Sequence, residues 1–236
     1  EELTPAVRQE VKNIILSQGG KAETIFKEAI NNAATQGGKR AVGQLKNNGV
    51  NASFSKFSKS TQKILDNKAF EASKTTMDKV TGRVMDSLKN SYENGYGIDK
   101  AAQHLRDEFT DLSDRGLKRI ARTEINSAQN QGSHLTMKEL GVEYKMWWTA
   151  QDDRVRGDGP HDVADHISLH GQIVRVGDAF ENGLLYPGDM SGEIEEWIEC
   201  RCTEVPFIPP LGMTGPDEPY FYEEDLVPVE SESKES

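Results

Sequence analysis

The sequence predicts an α+β protein: a helical region through about residue 96, a compact mixed α/β domain with a small sheet at about 97–210, and an acidic tail at 211–236. Three observations support this order. Apolar residues recur at helical spacing before Gly141, short runs rich in Val, Tyr and Trp follow it, and the last segment is rich in Pro, Glu and Ser. The change of pattern near Gly141 therefore separates helices from strands.

The helical pattern is clearest between Thr61 and Asn94, where apolar side chains recur near every 3.6 residues. A further helix is predicted from Ser113, as N-cap, to Leu140, because Gly141 supplies a stop. The glycine pairs at 19–20 and 37–38 are interpreted as breaks between helices. The first part of the chain is thus predicted to be a set of separate helices.

The segment after Gly141 predicts short strands separated by turns, since β-branched and aromatic residues are concentrated between glycines and prolines. The predicted strands are Val142–Thr149, Gln172–Val176 and Cys202–Phe207, and a short helix is predicted over Asp162–Leu169. Because neighbouring side chains of a strand point to opposite faces, only one of Trp147 and Trp148 is expected to face a core.

Residues 211–236 contain few apolar side chains for their length, so they are predicted not to order themselves on the domain. We expect truncation after Pro210 to leave the melting temperature nearly unchanged.

The charge of the chain is unevenly distributed. Residues 1–90 contain 15 Lys and Arg against 9 Asp and Glu, whereas the rest contains 13 against 30, within a net charge of −11. A basic region can contact phosphate or an acidic partner, although lysines spread along helices are more typical of solvated faces. No apolar run approaches the about 18 residues of a membrane helix, so a transmembrane role is not predicted.

Polar and glycine-containing motifs follow one another in a fixed order between Ile120 and Cys202. They are Arg122-Thr123-Glu124, Asp153-Arg154 with Arg156, His161, His170-Gly171-Gln172, Tyr186-Pro187-Gly188-Asp189 and Cys200-Arg201-Cys202. With Trp148 and Phe180 between them, this order over about Gly97 to Phe207 resembles the phage Mu F-like head morphogenesis family.

The resemblance implies a non-enzymatic minor capsid protein of a tailed phage or prophage. It would be a structural component near the portal or inner head that acts in head assembly or genome packaging. The implied partners are the portal protein and the major capsid protein, with packaged DNA as a further candidate. The implied location is the capsid interior or portal vertex of the virion, after assembly in the host cytoplasm. Some members carry a further Cys pair after the first strand, where this chain has Asp153 to Arg156.

Metal binding is weighed from the residues themselves. Cys200 and Cys202, with His161, His166 and His170, offer sulfur and nitrogen ligands that suit zinc. Structural zinc sites usually use Cys-x₂₋₄-Cys pairs, so the one-residue spacing and the missing second pair argue against a closed site. We therefore predict no cofactor and substoichiometric zinc, with His161, His170, Cys200 and Cys202 as weak candidates.

The charged motif residues suggest two further interpretations. Glu124, Asp153, His161 and His170 could form a nuclease-like acid and base set with an arginine on phosphate, as in an effector delivered with the virion. The favoured interpretation is a structural network of Arg122 and Glu124 with Asp153, Arg154 and Arg156. Arg122 and Glu124 diverge by about 200° on a helix and need different partners. Removing one member is expected to cost about 3–5 kcal/mol if the network is buried and about 1 kcal/mol or less if exposed.

Overall fold

A computed structural model describes residues 19–96, 117–157 and 159–229, together with isolated positions in the remaining segments. Its helices are α1 (Gly19–Asn47), α2 (Lys59–Glu93), α3 (Leu117–Glu139) and the one-turn α4 (Ile194–Trp197). Its strands are β1 (Tyr144–Trp148), β2 (Ile173–Arg175), β3 (Thr203–Phe207), β4 (Met213–Thr214) and β5 (Val227–Pro228). Helices followed by a small antiparallel sheet confirm the predicted α+β class.

The chain divides into two compact units that are not consecutive segments. The first comprises Glu1–Asn32 with Lys59–Glu124, and the second comprises Ala33–Ser58 with Ile125–Ser236. The predicted boundary at residue 96 is followed by residues that are mostly outside the described part, so it stays a prediction. None of the helices in the described ranges is both long and apolar enough to span a membrane.

The first unit contains α2, whose bounds match the pattern predicted for Thr61 to Asn94. An ion pair at 3.0 Å joins Lys27 to Asp66, and Gln62 donates a hydrogen bond to Asn31 at 2.6 Å. Leu65 is fully buried, as expected for the apolar stripe of an amphipathic helix.

Helix α1 begins at Gly19 and runs through Gly37 and Gly38, so the predicted break at 37–38 is wrong, whereas the break predicted at 19–20 adjoins residues outside the described part and stays a prediction. Gly37 and Gly38 share a buried stripe with Ala34, Ala41 and Leu45. A Cβ on Gly37 would lie 1.8 Å from the backbone oxygen of Gln129 in α3, and one on Gly132 would lie 2.0 Å from that of Ala34. The glycines therefore allow close helix contact within the second unit and do not end the helix.

Helix α3 ends as predicted at Gly141, whose φ of 67° is in the left-handed region. The amide of Val142 then donates to the Met137 carbonyl at 3.0 Å, which closes the helix. The start predicted at Ser113 lies outside the described residues.

Strand β1 is the centre of an antiparallel sheet with the order β2-β1-β3. The strands lie inside the predicted segments, which confirms them, but the helix predicted over Asp162–Leu169 is wrong because this segment consists of turns. Its backbone is fixed instead by local bonds such as that from the His166 amide to the Arg156 carbonyl at 2.9 Å.

Both faces of the sheet are covered. On one face, Tyr144 and Met146 pack with Ile173, Phe207 and Phe221. On the other face, Trp147 packs with a cluster formed by Leu169, Val174, Phe180, Leu184, Cys200 and Cys202. Trp147 is fully buried and Trp148 is 42% exposed, which confirms that only one of them faces a core.

Residues 211–229 pack on the sheet, so the prediction that this segment stays unordered is wrong. Phe221 is 3% exposed and exchanges two backbone hydrogen bonds with Ile173, at 2.8 and 3.0 Å. Strand β4 pairs with β5 beyond it. A few well-placed apolar groups suffice here because the segment adds to an existing sheet and does not build a core of its own.

Candidate functional site

The candidate site is a buried cluster of His166, Cys200 and Cys202 beneath β1. Their exposed fractions are 1%, 4% and 3%, and one ligand atom from each lies within 4.8 Å of the others. His166 Nδ1 lies 3.7 Å from the sulfur of Cys200 and 3.7 Å from that of Cys202. The turns before β2 and β3 thus bring together residues that are more than 30 positions apart.

The other nitrogen of His166 faces a carboxylate. His166 Nε2 lies 3.0 Å from Glu196 Oε2, which also accepts a hydrogen bond from Asn182 Nδ2 at 2.8 Å. A carboxylate accepts only, so Nε2 carries the proton and Nδ1 presents its lone pair to the sulfurs when the ring is neutral. Trp147 packs edge-on against the imidazole, with ring centroids 5.2 Å apart.

The two thiols differ in acidity. A hydrogen bond from Cys200 lowers the pKa of Cys202, and the same bond raises the pKa of Cys200. His166 and the Trp147 indole further lower the pKa of Cys202. Of the two sulfurs, Cys202 therefore has the lower pKa and reaches the thiolate form, which ligates metals, more readily than Cys200.

Arg201 points away from both sulfurs, as the alternation of side chains predicts. Its guanidinium forms a two-bond ion pair with Asp152, and hydrogen bonding from Arg201 lowers the pKa of that carboxyl. Arg154 also contacts Asp152, at 3.4 Å. Asp152 therefore accepts from two arginines at this end of β1.

The weak metal candidates His161 and His170 lie away from the thiols. His161 is exposed, while His170 packs on Trp148 with ring centroids 4.6 Å apart and accepts a hydrogen bond from the Thr149 amide at 3.2 Å. His170 therefore holds the end of β1 in place. His166 is one of three histidines that the sequence offered as zinc ligands, and nothing in the sequence distinguished it from the other two.

The remaining family-matched residues support turns. Gln172 is buried and accepts a hydrogen bond from the Glu181 amide at 2.9 Å, and Asp189 caps the amides of Leu185 and Ser191 at 3.1 and 3.0 Å. Gly171 and Gly188 have φ values of 83° and 84°, which favour glycine. Burial raises the pKa of Tyr186, next to Pro187, and Arg156 donates to the Ile198 carbonyl.

Sequence reasoning missed Asn130, a fully buried hydrogen-bond centre in α3. Its amide donates to the carbonyls of Pro187 and Cys202 at 2.8 and 3.0 Å. Its oxygen accepts from Arg40 at 3.0 Å and from Thr203 at 2.9 Å. One side chain thus joins α1, α3, the turn at Pro187 and β3, and an isolated asparagine in a helix gives no sequence signal for such a role.

A second missed group is the buried charge cluster of Lys145, Glu204 and His134. Lys145 and Glu204 have no exposed surface, and His134 Nδ1 lies 3.6 Å from Glu204 Oε2. Burial lowers the pKa of Lys145 to about 8, although Glu204 opposes this shift. The alternation of side chains along the strands could have indicated this cluster. Trp147 lies opposite Glu204 in the β1–β3 register, so Lys145, two residues before Trp147, is a diagonal neighbour of Glu204 on the same face of the sheet.

Arg122, Thr123 and Glu124 belong to the first unit, whereas Asp153 belongs to the second. Arg122 is exposed, Thr123 is buried, and burial raises the pKa of Glu124 against the effect of Lys68 and Lys79. The network predicted between Arg122, Glu124 and Asp153 stays a prediction.

Residues 82–205, slightly more than half of the chain, match the family model described as phage Mu protein F like protein. The match contains His166, Cys200 and Cys202, strands β1 and β2 and the first part of β3. No curated protein and no solved structure matches the chain.

Proposed function

The chain belongs to the phage Mu protein F-like family of phage head morphogenesis proteins, and from this we propose that it is a minor capsid protein. It lies near the portal or inner head and acts in head assembly or genome packaging. Its partners are the portal protein and the major capsid protein. It reaches the capsid interior or portal vertex after assembly in the host cytoplasm.

The observation that carries the proposal is that the family-matched polar groups of the second unit serve internal contacts. Gln172 and Asp189 bind turn amides, His170 binds the end of β1, and Arg201 binds Asp152. A hydrolase needs a nucleophile or base that substrate can reach. Because these four side chains already bind other groups of the protein, they favour a structural role over catalysis.

The basic excess of residues 1–90 supports a contact with an acidic surface, which includes packaged DNA as a possible partner. The acidic remainder of the chain would repel DNA. A contact through the basic region alone would weaken as salt rises, since each phosphate contact releases counterions.

Assembly of heads from the parent phage or prophage genome, with and without the portal gene, tests the proposal. We expect the chain to sediment with proheads that contain the portal protein, in few copies, and to be missing from shells assembled without portal. A chain that stays in the soluble fraction of both preparations contradicts the proposed location.

A nuclease or other effector delivered with the particle is the competing function. Incubation of the purified chain with plasmid DNA and with RNA, across a panel of divalent metals, distinguishes the two. We expect no turnover from the wild type. Cleavage that is lost in Glu124→Gln or His161→Ala would contradict the structural assignment.

A further inference from the structure

We propose that His166, Cys200 and Cys202 bind one zinc ion that cross-links the second unit. This proposal is contrary to the substoichiometric zinc expected from the sequence, and it uses His166 in place of the weak candidates His161 and His170. It is a structural centre and does not depend on where the protein lies in the head.

The distances fit a tetrahedral ion. With zinc–sulfur bonds of about 2.3 Å and zinc–nitrogen bonds of about 2.05 Å, tetrahedral angles place a sulfur and a nitrogen ligand about 3.6 Å apart. His166 Nδ1 lies 3.7 Å from each of the two sulfurs. Both nitrogen–sulfur separations therefore already match those that an ion between these groups requires, and the three ligand atoms all lie within 4.8 Å of one another.

Hydrogen bonding alone does not account for this arrangement. A neutral imidazole whose Nε2 proton is held by Glu196 has a single lone pair on Nδ1, yet two sulfurs lie at the same distance from that atom. A single lone pair accepts one S–H hydrogen bond, so hydrogen bonding explains the contact of Nδ1 with one sulfur but not with the other. An ion bound by all three groups would accept one lone pair from each of them, which accounts for both contacts of Nδ1.

The surroundings of His166 match those of metal-bound histidines. Such histidines usually donate their second ring N–H to a carboxylate, which fixes the ring and its tautomer. Glu196 provides this carboxylate and is itself held by Asn182 at 2.8 Å. This arrangement aims Nδ1 into the cluster before any ion arrives.

The ligand set selects zinc over harder cations. Two thiols and an imidazole suit zinc, whereas magnesium and calcium prefer oxygen ligands. Three protein ligands leave the fourth position to a water molecule. Since each ligand residue is less than 5% exposed, the ion is closed to substrates and acts by joining the turns before β2 and β3.

The test is metal analysis of the intact chain, purified without chelator from zinc-supplemented cells. We expect about one zinc per chain in the wild type and in His161→Ala, whose side chain is exposed in the same loop. We expect less than a tenth of that in Cys200→Ser/Cys202→Ser. Replacement of zinc by cobalt should give sulfur-to-cobalt charge-transfer absorption and the intense visible bands of tetrahedral cobalt.

Glu196→Gln keeps all three ligands and guards against variants that fail to fold. We expect it to retain the fold and to bind zinc about 10- to 100-fold more weakly in competition with a chromogenic chelator. Wild-type protein that holds less than a tenth of an equivalent of zinc overturns the proposal. So does a full equivalent of copper or iron in its place, or a Cys200–Cys202 disulfide in mass spectra of the fresh protein.

Discussion

Lys145 shows how a charge can be kept inside a small sheet. Its ammonium group donates to the Leu185 carbonyl and lies in the field of the Glu204 carboxylate, while the side chain has no exposed surface. Burial opposes the charge, and it is the largest influence on the pKa. The protonated form is therefore held at a cost in stability.

This cost predicts a pH dependence. The pKa of Lys145 is about 8 in the fold and near 10.5 in the unfolded chain. The unfolded chain thus binds more protons between these values, and stability rises with pH across this interval. From pH 7 to 9.5, the free energy of unfolding of the wild type should rise relative to that of Lys145→Met by at most about 2 kcal/mol.

Urea unfolding at the two pH values measures this difference. Lys46→Met, which removes an exposed lysine that is not among the groups shifting the pKa of Lys145, is the matched control and should follow the wild type. Parallel pH profiles for the wild type and Lys145→Met would show that the folded pKa of Lys145 is not lowered.

Arg122 tests the proposed charge network. Because its side chain is exposed, Arg122→Ala should lower the free energy of unfolding by about 1 kcal/mol or less. A double-mutant cycle of Arg122→Ala with Asp153→Asn, measured by denaturant unfolding, gives the coupling between the two groups. A decrease of about 3 kcal/mol in the free energy of unfolding of Arg122→Ala would contradict the exposed position of the Arg122 side chain.

Helix contact in the second unit depends on two glycines. A Cβ at Gly37 or at Gly132 meets the backbone of the opposite helix, at 1.8 and 2.0 Å, so the helices must separate to accept it. We expect Gly37→Ala and Gly132→Ala each to lower the free energy of unfolding by about 2–3 kcal/mol.

Gly43→Ala is the matched control because it lies in the same helix with no atom within 4 Å of the added methyl group. It should stabilise the protein by about 0.5–1 kcal/mol, since alanine favours the helix over glycine. Thermal unfolding of the three variants measures both effects. Equal shifts at Gly37 and Gly43 would show that the helices do not approach closely.

The elements that follow a simple period could be predicted, and those that depend on distant partners could not. Helix α2 and the strands around Trp147 have apolar side chains in clear phase. Gly37-Gly38 was interpreted as a break because a glycine that ends a helix and one that admits a neighbouring helix look alike in sequence. The turns around His166 were predicted as a helix because local propensity does not reveal how the backbone of a loop is held.

At the scale of the whole molecule, the C-terminal segment completes the core. Truncation after Pro210 removes Phe221 from contact with Tyr144 and leaves the Ile173 backbone without its partners. Loss of a buried phenylalanine side chain alone costs about 3–5 kcal/mol. We expect this truncation to lower the free energy of unfolding by at least about 3 kcal/mol, contrary to the sequence-based expectation.

Truncation after Val229 keeps every described contact of this segment and serves as the control. Denaturant unfolding of the two truncated chains distinguishes a docked segment from a dispensable one. An unchanged midpoint after removal of residues 211–236 would mean that Phe221 contributes nothing to the sheet.

The candidate site could be predicted in composition but not in membership. The sequence offered two cysteines and three histidines as weak zinc candidates, and the cysteine spacing argued against a closed site. It could not indicate that His166 is the one that meets the thiols, because this depends on the path of the loop between β1 and β2. Asn130 and Glu204 were missed for the same reason, since their partners are brought together by tertiary contacts.

The interleaved second unit has a consequence for synthesis on the ribosome. Its first piece ends at Ser58 and its next begins at Ile125, so the buried stripe of α1 emerges before α3 exists to cover it. At about 5–20 residues per second, the wait is about 3–13 s. For that interval Ala34, Ala41 and Leu45 form an apolar strip on a nascent chain, which makes this stretch a binding site for ribosome-associated chaperones.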